Sequence, residues 1–311
     1  MDSASGYPED SYAIIDVGSN TVRLVIFLGA IPHQQCWVNI KTRCRLAEGI
    51  EETGKLSPEG RRKALKAVGE YLQKAETLTR GEIQVVATSA VRDAANGRKF
   101  VRKIEKSFGH RVAVLSGEQE ALLCATGVLT GYPRASGLIV DVGGGSLEIA
   151  EAAEGELFRT ASLPIGHVRL LERSRNDPDR FKKIIDKELD CVDWLEAGYK
   201  ETLYLTGGAF RSLARAYMKG FGETAKIQGY TVPCAEMKKF IKEVCKGKFS
   251  KKADDISLLI AARLAAGLIK RARPSFLTFS TRGLRDGCYA TRFTVENPET
   301  RLQPPQPVKV A

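Results

Sequence analysis

The chain has 311 residues, which at roughly 150 residues per domain predicts two domains, and its 43% hydrophobic and 27% charged residues are typical of soluble globular proteins. Its 48 lysines and arginines exceed its 37 aspartates and glutamates, and the formal net charge of +11 favours a polyanionic partner. The longest apolar run, 256–269, contains Arg263 and is shorter than the roughly 20 residues of a membrane span, which excludes a membrane protein.

Predicted strands and helices alternate along the chain. The segment 14–27 reads IIDVGSNTVRLVIF and predicts two strands around a tight Gly-Ser-Asn turn. Apolar spacing and short β-rich runs then predict, in order, a helix near 58–79, a strand at 83–88, a helix near 92–107, a strand at 112–115 and a helix near 117–129. The first ten residues and the proline-rich end from Glu296 lack such patterns, so we expect both termini to fray.

An internal echo indicates that the chain is duplicated. The segment 139–152 reads IVDVGGGSLEIAEA and repeats the first strand–turn–strand segment, with Asp141 standing 125 residues after Asp16. A weaker echo pairs 85–92 with 203–211, since each is an apolar strand that reaches a threonine and then an arginine. Two copies of one mixed α/β unit are therefore predicted.

Each copy places an aspartate at the end of an apolar strand and a turn of small residues directly behind it. Burying the charged side chain of Asp16 or Asp141 at such a position costs free energy unless the carboxylate binds a cation, a water or a backbone donor. The exposed N–H groups of the turns at 18–21 and 143–146 can bind an anion. The pair predicts a phosphate held between the two halves, whereas either turn alone is also compatible with an ordinary hairpin.

Other phosphate and hydrolase chemistries lack their sequence patterns. A dinucleotide-binding turn needs a helix after its glycines, but the SLEIAEA segment alternates like a strand. No GxxxxGK[ST] segment of a P-loop occurs in the sequence. His33, His110 and His167 stand in no pattern of a serine triad or of a histidine-bound zinc site.

Seven motifs follow one another between residue 12 and about residue 290: DVGSNTVRL, ATSAVRDAANG, LSGEQEA, DVGGGSLE, LPIGHVRL, LTGGAFRSLA and STRGLRDG. In this order they resemble the exopolyphosphatase and guanosine pentaphosphate phosphohydrolase (Ppx/GppA) family of the actin-like, sugar kinase and Hsp70 superfold. The resemblance implies an α/β fold with two duplicated ribonuclease-H-like domains that flank an interdomain cleft. We expect these domains at 1–125 and 126–311, and the chain pattern places the seam after the helix predicted at 117–129 and at or before the segment 130–137.

The resemblance also implies that magnesium (Mg²⁺) and carboxylates direct water onto a terminal phosphoanhydride. The family's catalytic base is the glutamate before the alanine of an SGxEEA motif, which reads SGEQEA here and assigns that role to Glu120. Gln119 replaces the family's usual first glutamate, and Glu118 is the alternative base if the alignment is shifted. Asp141 and Glu148 match the family's carboxylates that hold metal and position water. These residue types suit phosphoryl transfer, because Mg²⁺ takes oxygen ligands and the nucleophile needs orientation.

The family's phosphate-binding positions fall on both turns and on one arginine-bearing segment. They correspond here to Gly18, Ser19, Asn20, Thr21, Arg23, Arg92, Gly144, Gly145 and Ser146. The Arg92 guanidinium can bind two phosphate oxygens at once, although a surface arginine is the alternative, and Arg23 can instead pair with a structural carboxylate. Gly207 and Gly208 match the turn that contacts the nucleotide in nucleotide-binding members of the superfold, with a purely structural turn as the alternative.

Two groups of basic residues carry part of the positive charge. One comprises Arg98, Lys99, Arg102, Lys103 and Lys106, and the other comprises Lys238, Lys239, Lys242, Lys246, Lys248, Lys251 and Lys252. Such runs are typical of solvated helix faces, and the alternative is a positive track for a long phosphate chain. The aromatic content of 7% provides few platforms for base stacking, so no nucleic-acid partner is expected.

The resulting hypothesis is a magnesium-dependent exopolyphosphatase that releases orthophosphate from the end of inorganic polyphosphate. Guanosine pentaphosphate is the alternative substrate, because it also presents a terminal phosphoanhydride. A small-molecule kinase and a non-catalytic polyphosphate or alarmone sensor are further alternatives, the sensor being favoured only by Gln119. The polar N-terminus predicts no secretory signal, and seven cysteines without a CxxC pair predict free thiols in a reducing cytoplasm. No residue decides whether the chain forms a homodimer.

Overall fold

The computed structural model describes residues 11–29, 31, 33–175, 177–196, 201–249 and 255–292. Within these residues the chain forms two compact units, which we call unit 1 (11–116 and 288–292) and unit 2 (117–287). The boundary expected after residue 125 falls inside a helix whose residues all belong to unit 2. The termini that were expected to fray, 1–10 and the end from Glu296, lie outside the described residues.

Unit 1 is built around a sheet of five described strands in the order β3-β2-β1-β4-β5. The strands are β1 (Ser11–Val17), β2 (Thr21–Leu28), β3 (Gln35–Arg43), β4 (Glu82–Ala87) and β5 (Val112–Val114). The helices are α1 (Ile50–Thr53), α2 (Pro58–Leu78), α3 (Ser89–Asp93) and α4 (Gly97–Phe108). Strands β1 to β3 are antiparallel neighbours, β4 runs parallel to β1, and β5 runs parallel to β4.

Helix α2 shows how the sequence directs the packing of unit 1. The Ser57 hydroxyl accepts a hydrogen bond from the Gly60 N–H at 3.1 Å, and Pro58 occupies the first turn, where its missing N–H costs nothing. The residues that the helix buries include Ala64, Ala67, Val68, Tyr71, Leu72 and Ala75. Their spacing of three and four residues forms one apolar stripe, which joins the core of the sheet and confirms the helix predicted near 58–79.

Unit 2 is built around a sheet of six described strands in the order β10-β11-β9-β6-β7-β8. Its strands are β6 (Gly137–Val142), β7 (Leu147–Ala153), β8 (Glu156–Leu163), β9 (Thr202–Gly207), β10 (Thr231–Pro233) and β11 (Phe276–Phe279). Its helices are α5 (Gly117–Leu129), α6 (His167–Ser174), α7 (Pro178–Leu189), α8 (Gly208–Gly220), α9 (Cys234–Cys245) and α10 (Asp255–Ala272), and α11 (Leu284–Thr291) leads the chain back to unit 1. None of the described helices is both long and apolar enough to cross a membrane.

The two sheets repeat one another and confirm the predicted duplication. In unit 2, β6, β7 and β8 are antiparallel neighbours, β9 runs parallel to β6, and β11 runs parallel to β9. This is the arrangement of β1 to β5 in unit 1, and β10 is an addition that pairs antiparallel with β11. The predicted fold class, a mixed α/β chain with two copies of one strand order, is therefore confirmed.

One predicted helix is divided in the structure. The helix expected near 92–107 consists of the short α3 and of α4, which begins at Gly97. The Asn96 side chain accepts a hydrogen bond from the Leu56 N–H at 2.8 Å and holds the chain between the two helices. A Cβ on Gly97 would lie 1.9 Å from the Val91 carbonyl oxygen, so only glycine permits this close return. The prediction of one continuous helix was wrong because these contacts leave no mark on local periodicity.

Candidate active site

Three carboxylates and a thiol come together in unit 2. Asp141 on β6 pairs directly with Glu148 on β7, so both side chains project from the same face of the sheet. Helix α5 packs against β6, β7 and β8 and carries Glu120 and Cys124, one helical turn apart, to this face. Both glutamates are buried, with 6% of Glu120 and 2% of Glu148 exposed. The structure thus brings together Glu120, Asp141 and Glu148, which we call the carboxylate cluster.

Burial and mutual repulsion govern the titration of the carboxylate cluster. Burial raises the pKa of Glu148 well above its usual range, and the charges of Glu120 and Asp141 raise it further. The hydroxyls of Ser146 and Ser162 oppose this shift, Ser162 by donating a hydrogen bond to Glu148 Oε1 at 3.1 Å. A cluster of this kind is suited to bind a cation or to hold a proton.

Cys124 lies among the same charges and was not singled out from the sequence. Burial raises the pKa of Cys124 well above its usual range, and the nearby carboxylates, led by Asp141, raise it further. The thiol therefore keeps its proton and hydrogen-bonds to the Asp141 carboxylate. The signal available in the sequence was its position one helical turn after Glu120.

Two glycines allow the backbone to approach the Asp141 carboxylate. Gly207, at the end of β9, has a φ of 96°, and a Cβ there would lie 2.6 Å from Asp141 Oδ1. A Cβ on Gly283 would lie 3.2 Å from Asp141 Oδ2. Gly207 therefore has a structural reason to be glycine, whereas a Cβ on Gly208, the first residue of α8, would meet nothing within 4 Å.

The turn at 143–146, here called the unit 2 turn, presents backbone N–H groups near the carboxylate cluster. The carbonyls of Gly143 and Gly144 accept hydrogen bonds from the first amides of α6 at 2.8 to 3.2 Å. Among the described residues, the N–H groups of Gly144 and Gly145 have no acceptor. The hydrogen bonds from α6 fix the orientation of the turn through its carbonyls. The N–H groups of Gly144 and Gly145 are therefore held in place and can bind an anion.

Gly166 and His167 hold the unit 2 turn from behind. His167 donates from both its Nδ1 and its backbone N–H to the Gly143 carbonyl, at 2.9 and 3.0 Å. A Cβ on Gly166 would lie 2.3 Å from the Ser146 nitrogen, so any larger residue displaces the turn. The sequence placed both residues in the LPIGHVRL motif without a role, because their contact with the turn spans 24 residues of chain.

The oxygen donors of the carboxylate cluster fit a magnesium ion that also binds substrate. Among the described residues, no three His, Cys, Asp or Glu side chains form a ready-made metal site. Magnesium usually takes one or two carboxylates and completes its shell with water and substrate phosphates, and Asp141 and Glu148 suit that mode. The Ser146 hydroxyl is 2% exposed and interacts with the Glu148 carboxylate, which places a neutral hydrogen-bond donor beside this site.

Unit 1 contains the equivalent turn at 18–21, here called the unit 1 turn. The carbonyls of Ser19 and Asn20 accept hydrogen bonds from amides in the segment 44–47 at 2.9 to 3.0 Å. The N–H groups of the same two residues have no acceptor in the described part of the chain. Ser19 Oγ lies 3.3 Å from Ser89 Oγ, which links the turn to the start of α3. The unit 1 turn can therefore bind an anion as well.

The two predicted phosphate-binding arginines of unit 1 have different surroundings. Arg92 Nε lies 3.1 Å from Asp93 Oδ1, and Arg92 Nη1 donates to the Leu115 carbonyl at 3.0 Å. These contacts fix the guanidinium while 23% of the Arg92 side chain stays exposed, which is compatible with phosphate binding. Arg23 donates from Nη1 to Asn39 Oδ1 at 2.7 Å, an amide contact and not the carboxylate pairing that was the alternative to phosphate binding.

Burial separates the two candidate bases on the first turn of α5. Glu118 is exposed, whereas Glu120 is buried in the carboxylate cluster. Two residues along a helix correspond to about 200° of rotation, so the two side chains project in nearly opposite directions. The geometry therefore supports Glu120 over Glu118 as the base.

Comparison with known proteins gives matches along most of the chain. A model of the Ppx/GppA phosphatase family matches residues 29–290. Exopolyphosphatase 1 of Mycobacterium tuberculosis is 35% identical over 214 residues, which cover 65% of this chain and 62% of that protein. A guanosine-5'-triphosphate,3'-diphosphate pyrophosphatase of Pseudoalteromonas atlantica is 32% identical over 203 residues, which cover 60% of this chain and 40% of that protein. The chain thus spans less than two thirds of the length of either relative.

A solved structure supports the same fold. The crystal structure of an exopolyphosphatase from Cytophaga hutchinsonii superimposes with a TM-score of 0.79 and covers 91% of this chain and 97% of that chain. The sequence identity is 22%, so this likeness concerns the fold alone. It extends over both units and confirms the fold class that the motifs implied.

Proposed function

Because the chain belongs to the Ppx/GppA phosphatase family, we propose that it hydrolyses the terminal phosphoanhydride of inorganic polyphosphate and releases orthophosphate. The observation that carries this proposal is the buried carboxylate cluster near the N–H groups of the unit 2 turn. A cation complements the carboxylates and a phosphate complements the N–H groups, which are the two requirements of phosphoryl transfer. The similarity to a protein named exopolyphosphatase supports polyphosphate as the substrate.

The unit 2 turn binds the phosphate to be transferred. The N–H groups of Gly144 and Gly145 and the hydroxyl of Ser146 donate hydrogen bonds to its oxygens. These donors are held in place by α6 before the substrate arrives, so little reorganisation is needed during the reaction. Asp141 and Glu148 would hold magnesium, which when bound neutralises charge on the phosphate oxygens.

Glu120 activates the water that attacks the terminal phosphorus. Its carboxylate orients the water and accepts a proton from it. The water oxygen bonds to phosphorus and the bond to the bridging oxygen breaks, so that orthophosphate leaves and the polyphosphate is one unit shorter. The Cys124 thiol keeps Asp141 in position by its hydrogen bond.

Guanosine pentaphosphate is the second candidate substrate. The observation that favours it is the 32% identity with a protein named guanosine-5'-triphosphate,3'-diphosphate pyrophosphatase. The same residues serve both substrates, because each presents a terminal phosphoanhydride to the unit 2 turn.

We also propose that the protein works in the cytoplasm. All seven cysteines are described, and each is a free thiol. Free thiols are typical of a reducing compartment, since cytosolic reductants keep cysteines from pairing.

Phosphate release by the purified protein tests the proposed function. Short polyphosphate, long polyphosphate, guanosine pentaphosphate and ATP are compared with magnesium present, using the parent chain and Glu120→Gln. We expect release from polyphosphate that Glu120→Gln abolishes while the variant still binds polyphosphate. Binding without release from any of these substrates would instead assign the chain as a sensor, and phosphate transfer from ATP to an added acceptor would assign it as a kinase.

A further inference from the structure

Helix α4 presents a group of exposed cations along one side. They are Arg98, Lys99, Arg102, Lys103 and Lys106, which we call the α4 cationic face. At 3.6 residues per turn they occupy an arc of about 140°, opposite the buried Phe100 and Ile104. Five positive charges thus stand together on a helix of 12 residues.

The α4 cationic face has no counter-charge within the described part of the chain. None of its five side chains makes an ion pair with another described residue. Glu105 is the one acid in α4, and its Oε1 accepts a hydrogen bond from the Val112 N–H at 3.1 Å. The helix therefore does not neutralise its own charge.

Some cations on or beside two other basic helices are paired. In α2, Lys63 lies 2.7 Å from Glu59 and Lys66 lies 3.8 Å from Glu70. At the end of α9, the lysines at 246 and 248 both contact Glu243. Of the basic group at 238–252, the lysines at 251 and 252 lie outside the described residues. Within α9 itself, Lys238, Lys239 and Lys242 make no ion pair with another described residue, so α4 shares this feature with α9 and differs from α2. It differs from both in its five cations to one acid, since α9 has two acids.

The positions of the α4 cations are unfavourable for the helix alone. Arg98 and Arg102 stand four residues apart, as do Lys99 and Lys103, and like charges at this spacing repel. Arg98 and Lys99 also lie in the first turn, where the helix dipole disfavours positive charge. An anion that lies along the face removes both penalties.

The α4 cationic face is fixed relative to Arg92, which matches a phosphate-binding position of the family. Arg92 lies on α3, and the chain enters α4 at Gly97, which packs against the carbonyl of Val91. The Asn96 side chain bonds to the Leu56 backbone and fixes the connection between the helices. A phosphate chain that reaches Arg92 therefore has a rigid cationic helix beside it.

We propose that the α4 cationic face binds the body of a long inorganic polyphosphate chain, beyond the phosphates that reach Arg92. This inference rests on the proposed function for its choice of polyanion. A single-stranded nucleic acid fits less well, because Phe100 is buried, Phe108 is half-buried, and no other aromatic residue occurs in α4 to stack on bases.

The test removes charge from α4 and compares it with equal removal elsewhere in unit 1. The α4 variant carries Arg98→Gln, Arg102→Gln, Lys103→Gln and Lys106→Gln, and the control carries Arg62→Gln, Lys63→Gln, Lys66→Gln and Lys74→Gln in α2. Both sets are introduced into Glu120→Gln protein, so that the ligand is not consumed. Binding is measured with fluorescently labelled long polyphosphate, with tripolyphosphate and with single-stranded DNA, over a range of salt concentrations.

We expect the α4 variant to bind long polyphosphate about tenfold more weakly and with a shallower salt dependence than its parent. The affinity of the α4 variant for tripolyphosphate should stay within about twofold of its parent. The α2 control should bind both long polyphosphate and tripolyphosphate within about twofold of the same parent. Melting of the α4 variant without ligand should occur at the same temperature or slightly higher, since repulsion along the helix is relieved.

Equal losses in the α4 and α2 variants, or equal losses for long and short chains, would overturn the inference. Loss of DNA binding with unchanged polyphosphate binding would assign the face to nucleic acid instead. The two proposals fail separately: a chain that binds long polyphosphate through α4 but releases no phosphate contradicts only the proposed function. A chain that releases phosphate but binds long polyphosphate equally well without the α4 charges contradicts only this inference.

Discussion

The unit 1 turn and the unit 2 turn have the same backbone hydrogen bond and differ in the charged side chains beside them. In each, the N–H of the first residue donates to the carbonyl of the last at 3.0 Å. The residue that pairs with the preceding aspartate differs, because Asp16 faces Arg23 across the strands whereas Asp141 faces Glu148. One position in the duplicated sheet therefore carries opposite charges in the two units.

The next strand extends this contrast. Arg23 pairs in register with Lys41 on β3, whereas Glu148 pairs with Ser162 on β8. Unit 1 thus has cations in register beside its aspartate, whereas unit 2 has a second carboxylate and a hydroxyl in the equivalent positions. Two similar anion-binding turns can therefore serve different purposes. We propose that the cations beside the unit 1 turn attract the anionic substrate, and that the carboxylates of unit 2 bind the cation and direct the water.

The largest effect is expected from a change that moves the unit 2 turn without altering any charge. Gly166→Ala places a Cβ 2.3 Å from the Ser146 nitrogen. We expect the displaced turn to lower the rate of phosphate release about 100-fold, because small errors in substrate position are costly. The measurement is kcat on short polyphosphate, with melting to verify that the variant is folded.

Gly208→Ala is the matched control, since its Cβ would meet nothing within 4 Å. This variant should retain most of the parental rate. A folded Gly166→Ala protein that is as active as Gly208→Ala would show that the position of the unit 2 turn does not matter for catalysis.

The two units should also differ in how they make stability depend on pH. The pKa of Glu148 is raised in the folded chain, so folding favours the protonated acid over the carboxylate. The stability that Glu148 contributes in this way is fully present below the ordinary glutamate pKa of 4.5 and is lost as the pH rises through the raised pKa. The free energy of unfolding of the metal-free protein should therefore fall in that window, and Glu148→Gln should reduce the fall.

Urea titrations at a series of pH values above 4.5 measure this difference. Arg23→Gln, at the equivalent position of unit 1, serves as the control and should leave the slope of stability against pH unchanged. If the parent and Glu148→Gln have equal slopes, the buried carboxylate does not carry the repulsion that we assign to it.

The smallest of these effects is expected at Cys124. Cys124→Val removes the hydrogen bond to Asp141 at similar volume, whereas Cys124→Ser keeps a donor. We expect Val to raise the magnesium concentration for half-maximal activity by about tenfold, because partners of metal ligands tune metal affinity. Cys124→Ser should need nearly the same magnesium concentration as the parent. If magnesium titrations give the same half-maximal concentration for both variants, the Cys124 hydrogen bond does not position Asp141.

Local patterns in the sequence predicted the parts of the fold that depend on near neighbours. Apolar spacing located α2 and α5, and the repeated Asp-Val-Gly segment located both turns and the duplication. The break between α3 and α4 could not be predicted in this way, because it depends on the contact of Asn96 with Leu56, 40 residues earlier.

The candidate site shows the same limit. The motif resemblance pointed to Glu120, Asp141 and Glu148. The choice of Glu120 over Glu118 as the base depends on the structure, in which Glu120 is buried and Glu118 is exposed. No local pattern pointed to His167, since its role depends on a carbonyl 24 residues away. Residues that shape the site through distant backbone contacts carry no local signature.

Activity of Glu120→Gln and of Glu118→Gln on short polyphosphate, with magnesium present, shows which carboxylate of α5 performs the hydrolysis. Both changes remove one charge from the first turn of α5, but only Glu120 lies in the carboxylate cluster. We expect Glu120→Gln to lower kcat by about 100-fold or more with polyphosphate binding retained, while Glu118→Gln remains active. Parental activity in Glu120→Gln, or an equal loss in the two variants, would contradict the claim that the carboxylate cluster of unit 2 performs the hydrolysis.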